Sequence, residues 1–393
     1  MKKKTIYVFG TRGFPGVQGG VEKHCEYLYP ELSGKYEIVV FRRKPYLPEK
    51  RDAAYAGIRF VDLPSTRIAG FESFIHSFLC TLLCMIKRPS VVHIHNFGPA
   101  MFIHLLKLCR LKVVLTYHSV NYRHEKWSAF ARCILKISER LATEGADRII
   151  FVNQTLIPLF KDSIQRKSVF IPNGVHPRER TANTGYITTL GLTPGRYILT
   201  VGRITQEKGL DYLIDAFLQS HLPGYQLVLA GGIDHSTQYA KNLYRKIQNQ
   251  PRILTTGYVD GEELRQLYSH ARLFVIASYN EGFPLVLLEA MNYRLPILAS
   301  DIPGNRQLGL KDTDYFEAGN TASLSLRLSE ELKKPGQSCR YDLAAYTWEQ
   351  IATQVNRIYE AILPAGATTL ADGCAASGEA ASGDTEEVTN LGE

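Results

Sequence analysis

Residues 272–291 read RLFVIASYNEGFPLVLLEAM and combine a short apolar run, a break and a helix-forming run. The apolar residues 272–277 predict a strand, and Pro284 predicts the helix start because proline is favoured at the first helical position. Gly282 lets the backbone pass close to a ligand. The amides expected to face that ligand are those of Phe283, Leu285 and Val286. Such a helix start favours a phosphate group.

Two glutamates flank this break, Glu281 just before the helix and Glu289 about one turn inside it. Carboxylates are poor partners for phosphate but good acceptors for the hydroxyl groups of sugars. A diphosphate with a ribose on one side and a second sugar on the other meets both requirements. The stretch therefore predicts a site for such a ligand.

Apolar strands alternate with helical stretches along the rest of the chain, which indicates parallel sheets covered on both faces. The pattern pauses at residues 176–195, which are polar and rich in Gly, Pro and Thr. We predict an α/β protein with two doubly wound domains and a ligand cleft between them. The predicted parts are a first domain at 1–175, a linker at 176–195, a second domain at 196–346 and a C-terminal helix at 347–363.

The composition is that of a globular protein, with 393 residues, 45% hydrophobic and 21% charged. Residues 364–393 hold six acidic residues, no Lys or Arg and almost no large apolar residues, so we predict that they are disordered. Without these residues the net charge rises from +8 to +14, so the body of the chain is strongly basic. A basic body favours nucleic acid, an anionic membrane face or phosphorylated substrates.

No stretch of the sequence predicts a membrane span. The longest apolar stretch, residues 73–86, contains His76 and is shorter than the roughly 20 residues that a span requires. Its helical spacing predicts an amphipathic helix that buries its apolar face. The residues of that face are Phe71, Phe74, Ile75, Phe78, Leu79, Leu82 and Ile86. The seven cysteines form no CxxC pair, which favours a reducing cytoplasm and no zinc site.

A glycine-rich loop, GTRGFPGVQGGVEKH at 10–24, follows the first predicted strand and leads into a helix near Val21. Its five glycines permit close approach to a phosphate-bearing ligand. The spacing G-x-x-G-x-x-G differs from a dinucleotide fingerprint, and Arg42 with Arg43 at the end of the second strand suits NADP better than NAD. A dinucleotide site and a plain glycine turn remain as alternatives.

The second domain begins in a similar way, with the strand YILTV at 197–201 followed by Gly202, Arg203 and Lys208. Arginine binds phosphate through two parallel hydrogen bonds, and lysine supplies a point charge. We name these three residues the phosphate cradle. The alternative is a solvated pair of surface charges.

The order of these motifs resembles glycosyltransferase family 4, whose members are retaining enzymes with the GT-B fold of two facing Rossmann-like domains. The resemblance covers about residues 4–363 and includes E-x7-E at 281–289, the phosphate cradle and IPNGV at 171–175. The loop at 10–24 resembles a bacterial subset that builds cell-surface polysaccharides, namely exopolysaccharide, capsule or O-antigen.

The resemblance implies roles for the matching residues. Arg203 and Lys208 would neutralise the departing diphosphate. Glu289 would hold the nucleotide ribose, and Glu281 would contact the transferred sugar. His118 would be the active-site histidine near that sugar, whereas His93 and His95 are expected to be structural or supporting. The remaining residues predicted to bind substrate are Gly19, Gly20, Glu22, Asn173, Gly202, Gly282, Phe283, Leu285 and Val286.

The implied reaction moves a sugar from a nucleotide-diphosphate donor to a hydroxyl of a polyprenyl-diphosphate-linked oligosaccharide, by front-face attack without a settled protein nucleophile. No cofactor, metal or nucleic acid is expected, because the phosphate cradle and the helix start supply the positive charge. The D-x-D at Asp312–Asp314 is predicted to lie in a hairpin and to bind no metal. A nucleotide-sugar epimerase and a non-catalytic GT-B scaffold are the alternatives.

Three residues depart from the family pattern: Gln307 where glutamate is frequent, His176 where an acid is common and Ser119 where glycine is usual. Residues 123–140, with Trp127 among several cations, and the basic residues 101–112 predict peripheral binding to an anionic leaflet on the cytoplasmic side. The alternative is that these segments pack on the first sheet with their cations solvated.

Overall fold

The computed structural model describes residues 3–47, 55–66, 71–119, 129–233, 237–336 and 338–363. Residues 364–393, which the sequence predicts to be disordered, lie outside the described residues. So does the beginning of the predicted membrane-binding stretch, up to residue 128.

The strands of the described residues form two sheets in which every pair is parallel. The first sheet has the order β3-β2-β1-β4-β5-β6-β7 and the second the order β10-β9-β8-β11-β12-β13. The strands of the first sheet are β1 Lys4–Phe9, β2 Tyr36–Arg43, β3 Ile58–Leu63, β4 Val91–His95, β5 Val113–Tyr117, β6 Arg148–Phe151 and β7 Ser168–Phe170. Those of the second are β8 Tyr197–Val201, β9 Gln226–Ala230, β10 Ile253–Gly257, β11 Leu273–Ile276, β12 Ile297–Ser300 and β13 Tyr315–Phe316.

Helices cover both faces of each sheet, as the apolar strands predicted. They are α1 Gly20–Ser33, α2 Phe71–Lys87, α3 Ile103–Leu108, α4 Ala129–Gly145, α5 Asp162–Gln165, α6 Gly185–Thr189, α7 Leu210–Gln219, α8 Gln238–Ile247, α9 Gly261–His270, α10 Leu285–Asn292, α11 Pro303–Arg306, α12 Thr321–Lys333 and α13 Trp348–Ile362. The first sheet packs against α2, α3 and α4 on one face and against α1 and α13 on the other. The second packs against α6, α9 and α10 on one face and α7, α8 and α12 on the other.

The chain passes twice between the two sheets, and the two crossings lie side by side. Val175 donates its amide proton to the carbonyl oxygen of Tyr346 at 2.6 Å and forms an isolated bridge with Thr347. Beyond this point α13 returns to the first domain, where Trp348 and Tyr359 are almost fully buried. The predicted C-terminal helix therefore completes the core of the first domain.

Helix α2 does not bury its apolar face, so that prediction is wrong. The residues that face the sheet are His76, Ser77, Cys80, Thr81 and Cys84, all buried. Their small side chains let the helix lie close to the strands. Of the predicted apolar face, Leu79 is half-buried, and the other six residues are exposed: Phe71, Phe74, Ile75, Phe78, Leu82 and Ile86. No helix in the described part of the chain is both long and apolar enough to cross a bilayer.

The hairpin predicted around Asp312–Asp314 is also wrong. These residues form one turn of 3-10 helix before β13, which pairs in parallel with β12 at the sheet edge. The error arose because the sequence shows a polar turn and a short strand but not the direction in which that strand pairs.

Candidate active site

A cleft of about 500 Å³ opens where strands of both sheets end. Its lining follows the carboxyl ends of β1, β5, β8 and β11, the edge at which doubly wound sheets bind ligands. The sequence-predicted residues that line it are Gly19, Gly20, His118, Asn173, Gly202, Arg203, Lys208, Glu281, Gly282, Phe283, Leu285, Val286 and Glu289. The cleft thus brings together residues from distant parts of the chain.

Glu22 is the predicted residue that does not line the cleft. It is buried in α1, where its Oε1 accepts hydrogen bonds from Thr11 Oγ1 at 3.3 Å and from the amide of Arg12 at 3.0 Å. Gly19 has a φ of +147°, and a Cβ there would stand 2.0 Å from Glu22 Oε2. Glu22 therefore braces the glycine loop, and Gly19 leaves room for that brace.

The phosphate cradle lies directly after β8. Lys208 Nζ pairs with Glu281 Oε1 at 2.6 Å, and Ser278 Oγ donates to the same carboxylate oxygen at 2.6 Å. Arg203 Nη2 lies 3.9 Å from Glu207 Oε1. Each cation of the cradle thus has a carboxylate neighbour in the cleft. These carboxylates offset the repulsion between the two cations.

The start of α10 faces the same cleft. The first hydrogen bonds of this helix run from the amides of Leu287 and Leu288 to the carbonyl oxygen of Pro284. The amides of Leu285 and Val286 precede those bonds, so the positive end of the helix points at the ligand space. This arrangement supports the predicted role of the Gly-Phe-Pro break.

Gly282 lies against the first domain. A Cβ at this position would stand 1.9 Å from the carbonyl oxygen of His118, so only glycine fits without moving the two halves apart. Asn173 fixes the same junction, because its Nδ2 donates to the carbonyl oxygen of Phe283 at 2.6 Å.

Glu289 lines the cleft from within α10. Burial raises the pKa of Glu289, while a 2.9 Å hydrogen bond from Tyr268 OH acts in the opposite direction. The hydrogen bond leaves the other carboxylate oxygen, Oε1, to accept bonds from a ligand. A buried carboxylate of this kind is suited to a pair of ribose hydroxyls.

The first domain contributes a chain of hydrogen-bonded side chains, which we call the histidine chain: His118, His95, Tyr29 and His93. His118 Nε2 lies 3.0 Å from His95 Nδ1, and His95 Nε2 lies 2.5 Å from Tyr29 OH. Tyr29 OH in turn lies 3.0 Å from His93 Nδ1. His93 also bonds Thr116 and Tyr359, so the chain reaches from the cleft to α13. His93 and His95, expected to be structural or supporting, therefore hold the cleft histidine.

All the histidines of this region are neutral. Burial lowers the pKa of His93 to about 3. Burial, followed by the charges of neighbouring histidines, holds the pKa of both His95 and His118 well below the ordinary value of 6.5. Because His118 Nε2 is engaged by His95, its Nδ1 is the nitrogen left for a substrate hydroxyl. A neutral imidazole can donate or accept that bond, depending on which nitrogen of each ring in the histidine chain carries the proton.

His24, His95 and His118 form a cluster whose ligand atoms all lie within 4.8 Å of one another. Neutral imidazoles are metal ligands. Both nitrogens of His95 are already hydrogen-bonded, to His118 and Tyr29, so a metal would have to break the histidine chain. The D-x-D residues Asp312 and Asp314 do not line the cleft, and Asp312 pairs with Arg306 at 2.6 Å.

The three departures from the family pattern have distinct surroundings. Gln307 accepts a bond from the amide of Gln154 at 2.8 Å and donates to the carbonyl oxygen of Gly282 at 3.0 Å. Glutamate could not make the second bond, because an ionised carboxylate has no proton to donate. His176 packs edge-on against Tyr27, with ring centroids 4.7 Å apart, and Ser119 lines the cleft.

The sequence missed two features of the cleft. One is the ion pair between Lys208 and Glu281, since residues 73 positions apart give no sign of contact. The other is a set of lining residues to which the sequence assigned no role: Gln18, Lys23, Tyr27, Arg178 and Tyr258. Lys23 stood in the quoted glycine loop, and its helical spacing from Gly19 could have placed it on the same side as the cleft.

Two doubly wound domains face each other across the cleft, with the phosphate cradle on one side and His118 on the other, which is the architecture of a GT-B glycosyltransferase. The chain belongs to glycosyltransferase family 4. The model described as Glycosyltransferase Family 4 matches residues 18–179, and the model for glycosyl transferases group 1 matches residues 191–347. The fold and family that the motifs predicted are confirmed, and so is an enzyme that uses a nucleotide-sugar donor.

Relatives and solved structures agree with this assignment. Alpha-maltose-1-phosphate synthase of Mycolicibacterium smegmatis is 25% identical over 88% of this chain and 97% of its own length. The amylovoran biosynthesis glycosyltransferase AmsD of Erwinia amylovora is 24% identical over 69% of this chain and 78% of its own. The structure of Anabaena HepE in complex with UDP-glucose has a TM-score of 0.69 at 15% identity, covering 92% of this chain and 100% of that one. The last likeness shows the shared fold.

Proposed function

We propose that this enzyme transfers a sugar, with retention of anomeric configuration, from a nucleoside-diphosphate sugar to a hydroxyl of a polyprenyl-diphosphate-linked oligosaccharide. The product would belong to a cell-surface polysaccharide such as exopolysaccharide, capsule or O-antigen. The enzyme would work at the cytoplasmic face of the membrane, without a metal or another cofactor. One observation carries the proposal: the phosphate cradle, Glu281 and Glu289 line one cleft with His118 of the opposite domain.

The cleft suggests how the charges would be used. The bond between the anomeric carbon and the diphosphate oxygen breaks, and the acceptor oxygen bonds that carbon from the same face. The acceptor proton passes to the departing diphosphate. Negative charge grows on that diphosphate, where Arg203, Lys208 and the start of α10 can stabilise it. Lys208 would then exchange its partner, from Glu281 to phosphate, and release Glu281 for the sugar.

The first domain would handle the uncharged part of the donor. His118 presents Nδ1 of a neutral imidazole, which suits a sugar hydroxyl better than a phosphate. Glu289, which Tyr268 holds on α10 of the second domain, would accept the ribose hydroxyls. The donor would therefore lie with its nucleoside against α10 and its sugar towards His118.

The acceptor rests on weaker support than the donor. The relative AmsD takes part in amylovoran biosynthesis, as its name says, and the loop at 10–24 resembles enzymes of surface polysaccharides. The body of the chain is basic, which suits an acceptor carrying a diphosphate and an anionic membrane around it. These features together favour a lipid-diphosphate-linked acceptor over a soluble one.

The test is transfer by the purified full chain. A panel of nucleotide sugars is first ranked by thermal shift, because a bound ligand stabilises the folded state. The best donor is then incubated with polyprenyl-diphosphate-linked oligosaccharides, and the product is analysed by mass spectrometry and by NMR of the new anomeric centre. Lys208→Ala should abolish most of the product, whereas the exposed Lys241→Ala on α8 should not.

The alternatives give different products. Conversion of the donor to another nucleotide sugar without an acceptor would indicate an epimerase. Donor binding without any conversion, across the whole acceptor panel, would indicate a non-catalytic scaffold. Inversion at the anomeric carbon would contradict the retaining mechanism.

A further inference from the structure

Helix α2 exposes a continuous row of large apolar side chains. This row, which we call the apolar stripe, consists of Phe71, Phe74, Ile75, Phe78, Leu82 and Ile86. The two ends are the most exposed, with Phe71 at 64% and Ile86 at 71% of their full accessible area. The spacing of these residues places them on one side of the helix. Exposed apolar surfaces of this extent mark sites of contact with a protein or a membrane.

The orientation of α2 is fixed by its other side. His76, Ser77 and Thr81 on that side are buried. Cys80 and Cys84 belong to the core under the first sheet. At the first turn, Glu72 pairs with Arg43 at 3.7 Å and accepts a bond from Tyr46. The helix cannot turn its apolar stripe inward without breaking these contacts.

The stripe continues onto the neighbouring segment. The rings of Phe74 and Phe78 pack on Phe102, with centroid distances of 5.1 and 5.3 Å. Leu108 at the end of α3 is 79% exposed. No charged residue occurs from Ser73 to Ile86, so the stripe is a wholly uncharged surface along four turns of helix.

A basic cluster borders one end of the apolar stripe: Lys87, Arg88, Arg110 and Lys112, all exposed. Arg88 Nη2 donates to the carbonyl oxygen of Cys109 at 3.0 Å, which brings the ends of α2 and α3 together. None of the four cations forms an ion pair with another described residue. Glu72 is the single acid between residues 71 and 112 of the sequence, and it is occupied by Arg43.

We propose that α2 lies flat in the interface of an anionic lipid bilayer. The apolar stripe enters the boundary between head groups and acyl chains, and the basic cluster binds the lipid phosphates. Charge favours a bilayer over a second copy of this chain as the occupant. In a symmetric pair the basic cluster would meet either itself or the Phe71 end, where Glu72 already has its partner.

The position of α2 connects this surface to the cleft. Its first turn contacts Arg43, and the amide of Arg43 donates to the carbonyl oxygen of Arg12 in the glycine loop at 2.9 Å. A bilayer on α2 would therefore lie beside the acceptor side of the cleft. The inference names the membrane partner of the proposed function and rests on that function only for the location of the acceptor.

The first experiment is co-sedimentation of the purified full chain with vesicles of phosphatidylcholine, with and without phosphatidylglycerol. We expect binding to the anionic vesicles at low salt. The double substitution Phe78→Glu and Leu82→Glu should weaken it by roughly tenfold or more, and so should Lys87→Glu with Arg110→Glu. The matched control is Leu326→Glu, an equally apolar residue of α12 that is 61% exposed, which should bind like the wild type.

A second measurement reports the depth of insertion. The fluorescence of Phe78→Trp should be quenched by lipids brominated in their acyl chains, after subtraction of the wild-type signal, whereas that of Leu326→Trp should not. Wild-type protein that stays in the supernatant with anionic vesicles, or stripe variants that bind as well as wild type, would overturn the proposal. So would a dimer in analytical ultracentrifugation that Phe78→Glu dissociates, combined with absent vesicle binding.

The outcome separates this inference from the proposed function. Transfer to a short-chain, water-soluble acceptor should be unchanged in the stripe variants, while transfer to an acceptor embedded in vesicles should fall with binding. Vesicle binding by a wild-type protein that transfers no sugar would uphold the membrane surface and refute the proposed function. Transfer of sugar by a wild-type protein that does not bind vesicles would uphold the proposed function and refute the membrane surface.

Discussion

The two sides of the cleft use opposite electrostatics. The second domain presents ionised groups, with Lys208 paired to Glu281 at 2.6 Å and Arg203 beside Glu207. The first domain presents the histidine chain, in which burial holds the pKa of His118 well below 6.5. The charged groups of the second domain are partly open to solvent, whereas the first domain is neutral and deeply buried around His118, with its own cleft charges, Lys23 and Glu26, paired to each other at 2.9 Å.

This difference indicates a division of tasks. Charged groups are effective where a reaction develops charge, and in the proposed reaction that place is the leaving diphosphate. Neutral, hydrogen-bonded groups are effective where hydroxyls must be oriented and protons passed along. The contrast supports the proposal that the phosphates bind to the second domain and the uncharged sugar to the first.

The largest effect is expected from the charged side. Arg203→Ala and Lys208→Ala should each lower turnover by about 10²–10³, because each removes a cation that meets the charge of the leaving group. Steady-state kinetics on purified variants measure this, with Lys241→Ala as a control for the loss of a surface cation. Near-wild-type turnover in both variants would remove the phosphate cradle from the mechanism.

The next effect distinguishes the two acids. Glu289→Ala should weaken binding of the free nucleoside diphosphate by roughly 10- to 100-fold, the range for losing hydrogen bonds to a charged group. Glu281→Ala should mainly weaken binding of the intact donor, since its expected partner is the sugar. Calorimetric titration of both ligands into both variants tests the difference. Equal losses for both ligands in both variants would show that the acids do not divide the ligand in this way.

The neutral side predicts how stability depends on pH. Burial lowers the pKa of His24 to about 4 and the pKa of His93 to about 3, so the unfolded chain binds more protons than the folded one below pH 6.5. Their contribution is complete above pH 6.5 and is lost as the pH falls towards those values. Between pH 6.5 and about pH 5.5, each histidine should lower the free energy of unfolding by about 1 kcal/mol.

Urea denaturation at several pH values measures this dependence. His24→Gln should make the decline with falling pH shallower by the share of one histidine. The control is His104→Gln, because His104 is exposed on α3 and outside the cluster. The same decline in wild type and His24→Gln would mean that His24 is not held neutral.

The smallest effect is expected at the D-x-D. Asp312→Ala with Asp314→Ala should leave turnover nearly unchanged, and activity should persist in EDTA, because the phosphate cradle supplies the positive charge. Assays with EDTA, and after adding back Mn²⁺ or Mg²⁺, measure this. Turnover that disappears in EDTA and returns with a metal would show that the cations of the second domain are insufficient.

The sequence predicted the fold and most of the cleft because the relevant signals are local. The strand, glycine and helix-start pattern at 272–291 and the similar start at 197–209 each fix a turn at the carboxyl end of a strand. Turns at that edge converge in space, so Arg203 and Glu281 could be expected in one site. The histidine chain was not predicted, because its members come from α1, β4 and the end of β5.

Helix α2 shows a different limit of prediction from the sequence. Its periodicity revealed two faces, but periodicity does not tell which face points inward. The small residues Ser77, Cys80 and Cys84 pack on the sheet, and the larger apolar residues were left outside. A count of apolar residues therefore predicted the helix correctly and its orientation wrongly. Glu22 was similarly predicted from its motif to bind substrate, but it braces the glycine loop instead of lining the cleft.

The return of α13 has a consequence for how the protein is made. The inner side of α1, including Leu28 and Tyr29, is covered by residues 348–359, which the ribosome adds only after both sheets have been synthesised. The first domain is synthesised first, but its core cannot close until α13 has been added. Until α13 has been synthesised, the nascent chain exposes apolar surface to which chaperones can bind.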